Sequence, residues 1–252
     1  KAIRVLRPNV QLAMDINHNY TTIAQSHPMS SKVGTREKEQ LLTNMIAMDL
    51  VTTATKPLAN FYNKLLRENF PDHNTHIATL PSLVSRLGYE EIPPLNKNDS
   101  DKIRIGLIGG KSKLKDFLLL EEVVSKLEQV LKGGVQFVCY GWDGKGSNGE
   151  LVFKGLDIEY HKTVSFKDHF KKLNELALDI VLLPTQKNRF SQCEPITDYL
   201  EVSVFGVPVI ASKYHPVKQV LKEGETGLLA ESTDDWLVGL ECLIKDKALQ
   251  EQ

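Results

Sequence analysis

DIVLLPTQKNRFSQCEPITDYLEVSVFGVPVIASKYHPVKQVLKEGETGLLAE, residues 179–231, is the stretch from which the fold can be read. It opens on an apolar run at 180–183, crosses a polar loop at 184–192 and enters a short helix at about 195–205. A second apolar run at 207–211, a short helix at 216–221 and a third strand at 227–230 follow. Neither apolar run alternates with polar residues, a pattern that fits parallel strands covered on both faces. Gly206 is placed to close the first helix and Pro208 to open the next strand. Ligands of open parallel sheets sit beyond the carboxyl ends of the strands. The loops 184–194 and 212–216 are therefore expected to border a site, beside the helix start near Pro195.

Upstream, the same alternation continues. A strand at 102–108 leads into the turn Gly109-Gly110-Lys111-Ser112-Lys113-Leu114-Lys115-Asp116, and one long helix is expected to run to about Lys132. Phe117, Leu120, Val124, Leu127 and Leu131 recur at steps of three and four. Strands at 135–140 and 156–160, a helix at 166–176 and a last helix at 234–245 capped by Ser232 or Thr233 complete this half. Residues 88–100, with Pro93-Pro94 and Asn96-Lys97-Asn98-Asp99-Ser100, read as a linker. Before it come a helix end stopped at Pro8, a strand at 10–16, a polar loop at 21–35 and helical spacing through Leu41, Leu42, Met45, Ile46 and Met48. A strand at 50–53, an amphipathic helix at 56–67 and a strand at 76–80 follow. The expected class is α/β, with two Rossmann-like parallel-sheet domains at 1–95 and 96–252, the first incomplete.

Composition narrows the function. A net charge of −1 over 252 residues gives no electrostatic case for a nucleic-acid partner. No run of 18 apolar residues is present, so no transmembrane segment is expected. Cys139, Cys193 and Cys242 are odd in number, far apart and without metal spacing, as in a reduced, cytosolic protein. His27, His73, His76, His161, His169 and His215 show no H-x3-H or Cys pairing, and no metal is expected. Lys1 in place of Met marks the chain as an expected fragment and leaves an amino-terminal signal open. A dinucleotide site is rejected. Gly106-Leu-Ile-Gly109-Gly110 is not G-x-G-x-x-G, and the next strand ends Cys139-Tyr140-Gly141 without a ribose-binding acid.

Three features carry chemistry. The Gly109-Gly110 turn with its lysines would let backbone N–H groups approach a phosphate, or it is a glycine turn before a solvated lysine face. Glu201 is a carboxylate on the helix after the polar loop, a solvated-face acid by its position alone. Asp15 and His18 close the first strand, His18 fitting equally a satisfied loop histidine.

Pro184, then Glu201-x4-Gly206-x-Pro208-Val-Ile-Ala-Ser212, then Glu223-Gly-Glu-Thr-Gly-Leu-Leu229, resembles the donor-binding half of family-four GT-B glycosyltransferases. Glu201 falls on the second Glu of that family's E-x7-E motif. Where the first belongs, this chain has Cys193, with Glu194 beside it as the substitute candidate. A bacterial polysaccharide-type subgroup, with a loop of roughly N-x-F-N-x-C-K-S-x-x-K-x-x-E, is more similar still. Asn188, Phe190, Cys193 and Glu201 match it, whereas Glu194, Pro195 and Asp198 replace Lys, Ser and Lys and remove positive charge.

The resemblance implies a retaining, metal-independent enzyme without a cofactor, moving a sugar from a nucleotide-diphosphate donor to a glycan or lipid-linked acceptor. It implies that Lys113, with Lys111 and Lys115 as alternates, meets the donor diphosphate, joined by the helix start at Thr197 and Asp198. Glu201 would accept from the ribose hydroxyls through both oxygens, and Asp15 and His18 would contact the transferred sugar. Against complete relatives, the first strands and a glycine loop near the acceptor are expected to be missing. The absent amino-terminal part would then be a partner, and the fragment alone would have little activity. Polysaccharide biosynthesis in the bacterial cytoplasm, compatible with a peripheral place at the inner membrane face, is the implied setting. The alternative is a catalytically silent glycosyltransferase-like module that binds a partner protein or glycan.

Overall fold

The fold, a computed structural model, is described for residues 5–7, 9–23, 27, 29–84, 96–131, 133–146, 149–214 and 216–246. The expected helix end at Pro8, the first part of the linker and the expected helix end at Lys132 lie outside these residues. The chain forms two compact units: Lys1–Ser82 with Asn188–Pro195, and Leu83–Lys187 with Ile196–Gln252.

The smaller unit holds three parallel strands, β1 (Ala13–Ile16), β2 (Leu50–Thr53) and β3 (His76–Thr79), in the order β1-β2-β3. Its helices are α1 (Thr35–Met45) and α2 (Lys56–Asn69). Sequence spacing predicts a strand from Val10, but pairing begins at Ala13. Leu12 N–H turns to the Asp49 carboxylate, Oδ2, at 2.8 Å, while Leu12 O accepts from the N–H groups of Asp49 at 2.9 Å and Leu50 at 3.2 Å, the latter opening the ladder. Ile16, Met45, Val51, Leu58, Tyr62, Leu66 and Ile77 form the core, and Cys193 packs among them. Thr55 links the segments. Its hydroxyl accepts from Leu58 N–H at 3.3 Å, capping α2, and donates to Cys193 O at 3.0 Å.

The larger unit holds β4 (Ile103–Ile108), β5 (Val135–Tyr140), β6 (Ile158–His161), β7 (Ile180–Leu183), β8 (Val209–Ser212) and β9 (Leu228–Ala230). All neighbours are parallel, in the order β6-β5-β4-β7-β8-β9. The chain therefore builds outward from β4 in one direction and, from β7, in the other. The apolar run of β7 divides between two cores. Ile180 and Leu182 face one with Ile105, Phe117, Leu120, Trp236 and Leu240, while Val181 and Leu183 face the other with Val138, Leu173, Tyr199 and Val202. Each such buried side chain contributes roughly 1.5–3 kcal/mol.

Helices α3 (Leu114–Phe117), α4 (Glu121–Leu131) and α7 (Thr233–Lys245) supply the first core; α5 (His169–Glu175) and α6 (Thr197–Ser203) supply the second. The single long helix expected after the glycine turn is broken instead. A 3₁₀ turn at Lys111–Lys113 precedes α3, and another at Leu118–Leu120 separates α3 from α4. Three successive leucines cannot all face one side. The tight turn, in which positions i and i+3 eclipse, buries Phe117 and Leu120 and leaves Leu118 and Leu119 at the surface.

Helix α6 ends as Gly206 implies. Gly206 has φ +65°, its N–H reaches Ser203 O, and Val207 N–H reaches Val202 O, the paired bonds of a Schellman cap. The strand expected at 207–211 consequently begins at Val209. Ser232 caps α7, its hydroxyl accepting from Asp235 N–H. No described helix is long and apolar enough to cross a membrane.

Two glycines with positive φ separate conformational from steric cost. A Cβ on Gly206 meets nothing within 4 Å, whereas one on Gly141 (φ +99°) falls 2.9 Å from Gly109 O and 3.0 Å from its carbonyl carbon. Gly206→Ala should cost about 1 kcal/mol, the left-handed penalty, and Gly141→Ala about 2 kcal/mol or more. Urea unfolding of both variants measures the difference; equal losses would show that the Gly109–Gly141 approach is not close.

Candidate functional site

The carboxyl ends of β4 and β7 are adjacent, and the connections leaving them diverge, the arrangement that opens a crevice in doubly wound sheets. Backbone bonds fix the turns there: Gly109 N–H donates to Tyr140 O at 2.9 Å and Gly141 N–H to His161 O at 2.8 Å. After Gly110 the chain tightens into the 3₁₀ turn, closed by Lys113 N–H to Gly110 O at 2.9 Å. Of the three lysines in this turn, Lys111 and Lys115 are exposed. Lys113 is partly buried and reaches Asp198 Oδ2 on α6 at 3.1 Å.

The loop after β7 is tied on two sides. Gln186 N–H donates to Asp116 Oδ1 at 2.9 Å, and Thr185 N–H to Ser212 Oγ at 2.8 Å. Thr185 is buried, and its own hydroxyl has no hydrogen-bond partner among the described residues. A buried hydroxyl left unmatched at the crevice is a group that a ligand could satisfy. Sequence reading missed it, because nothing local marks Thr185 as buried.

Helix α6 has an acidic start. Thr197 is exposed, and Asp198 Oδ1 accepts Tyr199 N–H at 3.1 Å, so the carboxylate occupies both the helix start and Lys113. One turn on, Glu201 Oε2 meets His169 Nε2 at 3.0 Å, and His169 Nδ1 meets the Tyr140 hydroxyl at 3.0 Å. Burial raises the Tyr140 pKa, a backbone N–H from Val164 opposes this, and the Glu201 charge adds to the rise. In the loop between β6 and α5, Val164 and Phe166 are exposed apolar residues, Phe166 at 85%. Tyr140 and His169 were not singled out from sequence; the signal was their place, at a strand end and a helix start on the carboxyl edge.

The remaining sequence candidates lie in the smaller unit. Asp15 is exposed on β1 and accepts from the Thr52 hydroxyl of β2 at 2.6 Å. His18 Nδ1 meets both oxygens of Glu194, at 3.0 and 3.1 Å. His27 is held below the usual histidine range by burial, partly offset by Glu194 and reinforced by His18. Burial pushes the Cys193 thiol up, away from a nucleophile's state. The candidates thus separate into Lys111, Lys113, Lys115, Thr197, Asp198 and Glu201 in the larger unit, and Asp15, His18 and Glu194 in the smaller.

No group of three or more His, Cys, Asp or Glu side chains among the described residues could hold a metal ion. A cavity of about 200 Å³ lies at the opposite, amino-terminal edge of β8 and β9, lined by Tyr199, Ser203, Pro208, Thr226 and Leu243. It is not part of the crevice.

No protein-family model matches the chain, and no curated protein matches it. Solved structures do. Sucrose-phosphate synthase from Thermosynechococcus elongatus superposes with a TM-score of 0.65 at 14% identity, covering 98% of this chain and 62% of that one. Anabaena Alr3699/HepE in complex with UDP and glucose gives 0.64 at 12%, covering 99% and 66%. An S. aureus TarM mutant in complex with fondaparinux, alpha-GlcNAc-glycerol and UDP gives 0.61 at 17%, covering 96% and 45%. At such identities the likeness establishes the fold, that of GT-B glycosyltransferases. The chain spans 45% to 66% of the length of these structures.

An anion meeting Lys113 would have to compete with Asp198. Asp198→Asn keeps the shape and removes the competing charge. Pyrophosphate affinity, measured by calorimetry, should rise about two- to fivefold, the equivalent of a partly exposed ion pair. An unchanged or lower affinity would remove Lys113 from the anion site.

Proposed function

We propose that the larger unit binds a nucleotide-diphosphate sugar and that the chain is the donor-binding part of a glycosyltransferase. One observation carries this reading. The glycine turn with Lys113, the unmatched Thr185 hydroxyl and the helix of Glu201 all follow β4 or β7 at the carboxyl edge where the strand order reverses. The likeness to structures that hold UDP, and to one that holds UDP and glucose, supports it.

In this reading Lys113 meets the diphosphate, flanked by Lys111 and Lys115, with Thr197 and Asp198 bordering it. Glu201 accepts from the ribose hydroxyls, and Val164 and Phe166 offer an apolar rest for the base. Transfer proceeds with retention and without a metal. The bond from the sugar's anomeric carbon to the β-phosphate oxygen breaks, the acceptor oxygen bonds to that carbon and passes its proton to the departing phosphate oxygen, and the nucleoside diphosphate leaves. Lysine charge stabilises that leaving group. The acceptor is a glycan or a lipid-linked sugar. Asp15, His18 and Glu194, in the other unit, carry no part of this donor-site reading.

A second reading, the silent module that binds a partner protein or glycan, draws on a specific observation. Lys113 is already paired with Asp198, and one oxygen of Glu201 with His169, so both central groups have protein partners without a donor.

Calorimetry with UDP, ADP and GDP separates the two. One of them should bind, at up to millimolar concentration because Asp198 opposes the phosphates. Glu201→Ala should weaken that binding by about ten- to a hundredfold, the worth of hydrogen bonds to a charged acceptor. Lys113→Ala should weaken the diphosphate and spare the nucleoside. Failure of all three nucleotides at millimolar concentration leaves the silent module standing; binding untouched by Glu201→Ala moves the site elsewhere.

A further inference from the structure

Three side chains that are far apart in sequence form one line at the crevice. Tyr140 ends β5, His169 opens α5 and Glu201 lies on α6. The Tyr140 and His169 rings stack at 5.5 Å with 30° between planes, and both links of the line are 3.0 Å long. The line starts at the Tyr140 hydroxyl, which meets His169 Nδ1. Tyr140 itself is buried.

The chemistry of the ends fixes the middle. An ionised carboxylate only accepts hydrogen bonds, so His169 Nε2 must carry a proton. In a neutral imidazole Nδ1 is then bare and must accept, and the Tyr140 hydroxyl is the donor in place. The phenol has a single proton, and it serves that bond. Both bonds therefore run in one direction, from Tyr140 through His169 to Glu201 Oε2. The other oxygen, Oε1, has no described partner.

We propose that His169, braced by Tyr140, is a positioning residue that holds Glu201 by one oxygen so that the other is presented, already oriented, to a vicinal diol of the ligand. This rests on the donor-site reading. A glutamate on a helix surface otherwise samples many rotamers and must be ordered when ligand arrives, which costs affinity. Glu201 and His169 side chains are 22% and 20% exposed, open enough to meet a ligand while held from behind. The line also selects what is recognised. A carboxylate held in one orientation distinguishes a ribose from a 2′-deoxyribose, whereas a mobile one adapts to either.

Two measurements on the full chain test this. Long-range ¹H–¹⁵N correlation reads the His169 tautomer without any ligand, and Nε2–H is expected. UDP and 2′-deoxy-UDP are then titrated into wild type, His169→Leu and His169→Gln. Wild type should prefer UDP by about tenfold. His169→Leu should bind UDP about three- to tenfold more weakly and lose most of that preference. His169→Gln, whose amide nitrogen can still donate to Glu201, should restore it. An Nδ1–H tautomer would overturn the inference, as would a leucine variant that weakens both ligands equally, the mark of a merely structural residue. Absence of UDP binding by wild type with Nε2–H observed would overturn the donor reading while the hold on Glu201 stands.

Discussion

Burial of the β4–β7 pair on both faces is the constraint on which the larger unit depends. Ile105 and Leu107 share one core with Ile180 and Leu182, while Ile108 shares the other with Val181 and Leu183. Helices must therefore cover both sides. The chain after β4 goes to one face through α3 and α4, and the chain after β7 goes to the other through α6. Elements on opposite faces of a sheet can touch only past its edge. The Lys113–Asp198 pair is that contact, made over the carboxyl end where the two strands leave in different directions. The position of the crevice is thus a consequence of apolar packing, settled before any polar residue is considered.

The crevice is electrostatically closed on itself. Its partly buried lysine is held by an aspartate and its central glutamate by a histidine, each at about hydrogen-bond distance. Partly buried charges cost free energy unless matched, and matched pairs hold their geometry. The same matching means that an incoming anion must compete with Asp198 for Lys113. Glu201 is different, because His169 Nε2 meets only one of its two carboxylate oxygens.

Residues 188–195 show how a loop can change allegiance. They follow β7 in sequence, yet their side chains and carbonyls are satisfied by the smaller unit: Cys193 packs among Met45, Leu58 and Tyr62, its carbonyl takes the Thr55 hydroxyl, and Glu194 takes His18. Asn19 Nδ2 points at the Cys193 sulfur at 3.8 Å. The small apolar cysteine at 193 suits that core, where a charged residue would lack a partner. Glu194 accordingly meets the smaller unit's His18.

The sequence by itself determined the class, the strands and most caps. The uninterrupted apolar runs at 180–183 and 207–211 announced burial on both faces, and Gly206 and the Ser232-Thr233 pair marked a helix end and a helix start that the structure keeps. These are properties of a few consecutive residues, so they survive projection onto a line. The break of the helix at 118–120 was not legible, since steps of three and four fit a helix and a pair of 3₁₀ turns alike. Lys113, Asp198 and Glu201 could be named, but their partners could not. Lys113 finds Asp198 across 85 residues, Glu201 finds His169 across 32 and His169 finds Tyr140 across 29. Those meetings depend on which strand lies beside which. Strand order is fixed by the packing of whole helices on both faces of the sheet, so only the tertiary structure decided which charge each functional group would face.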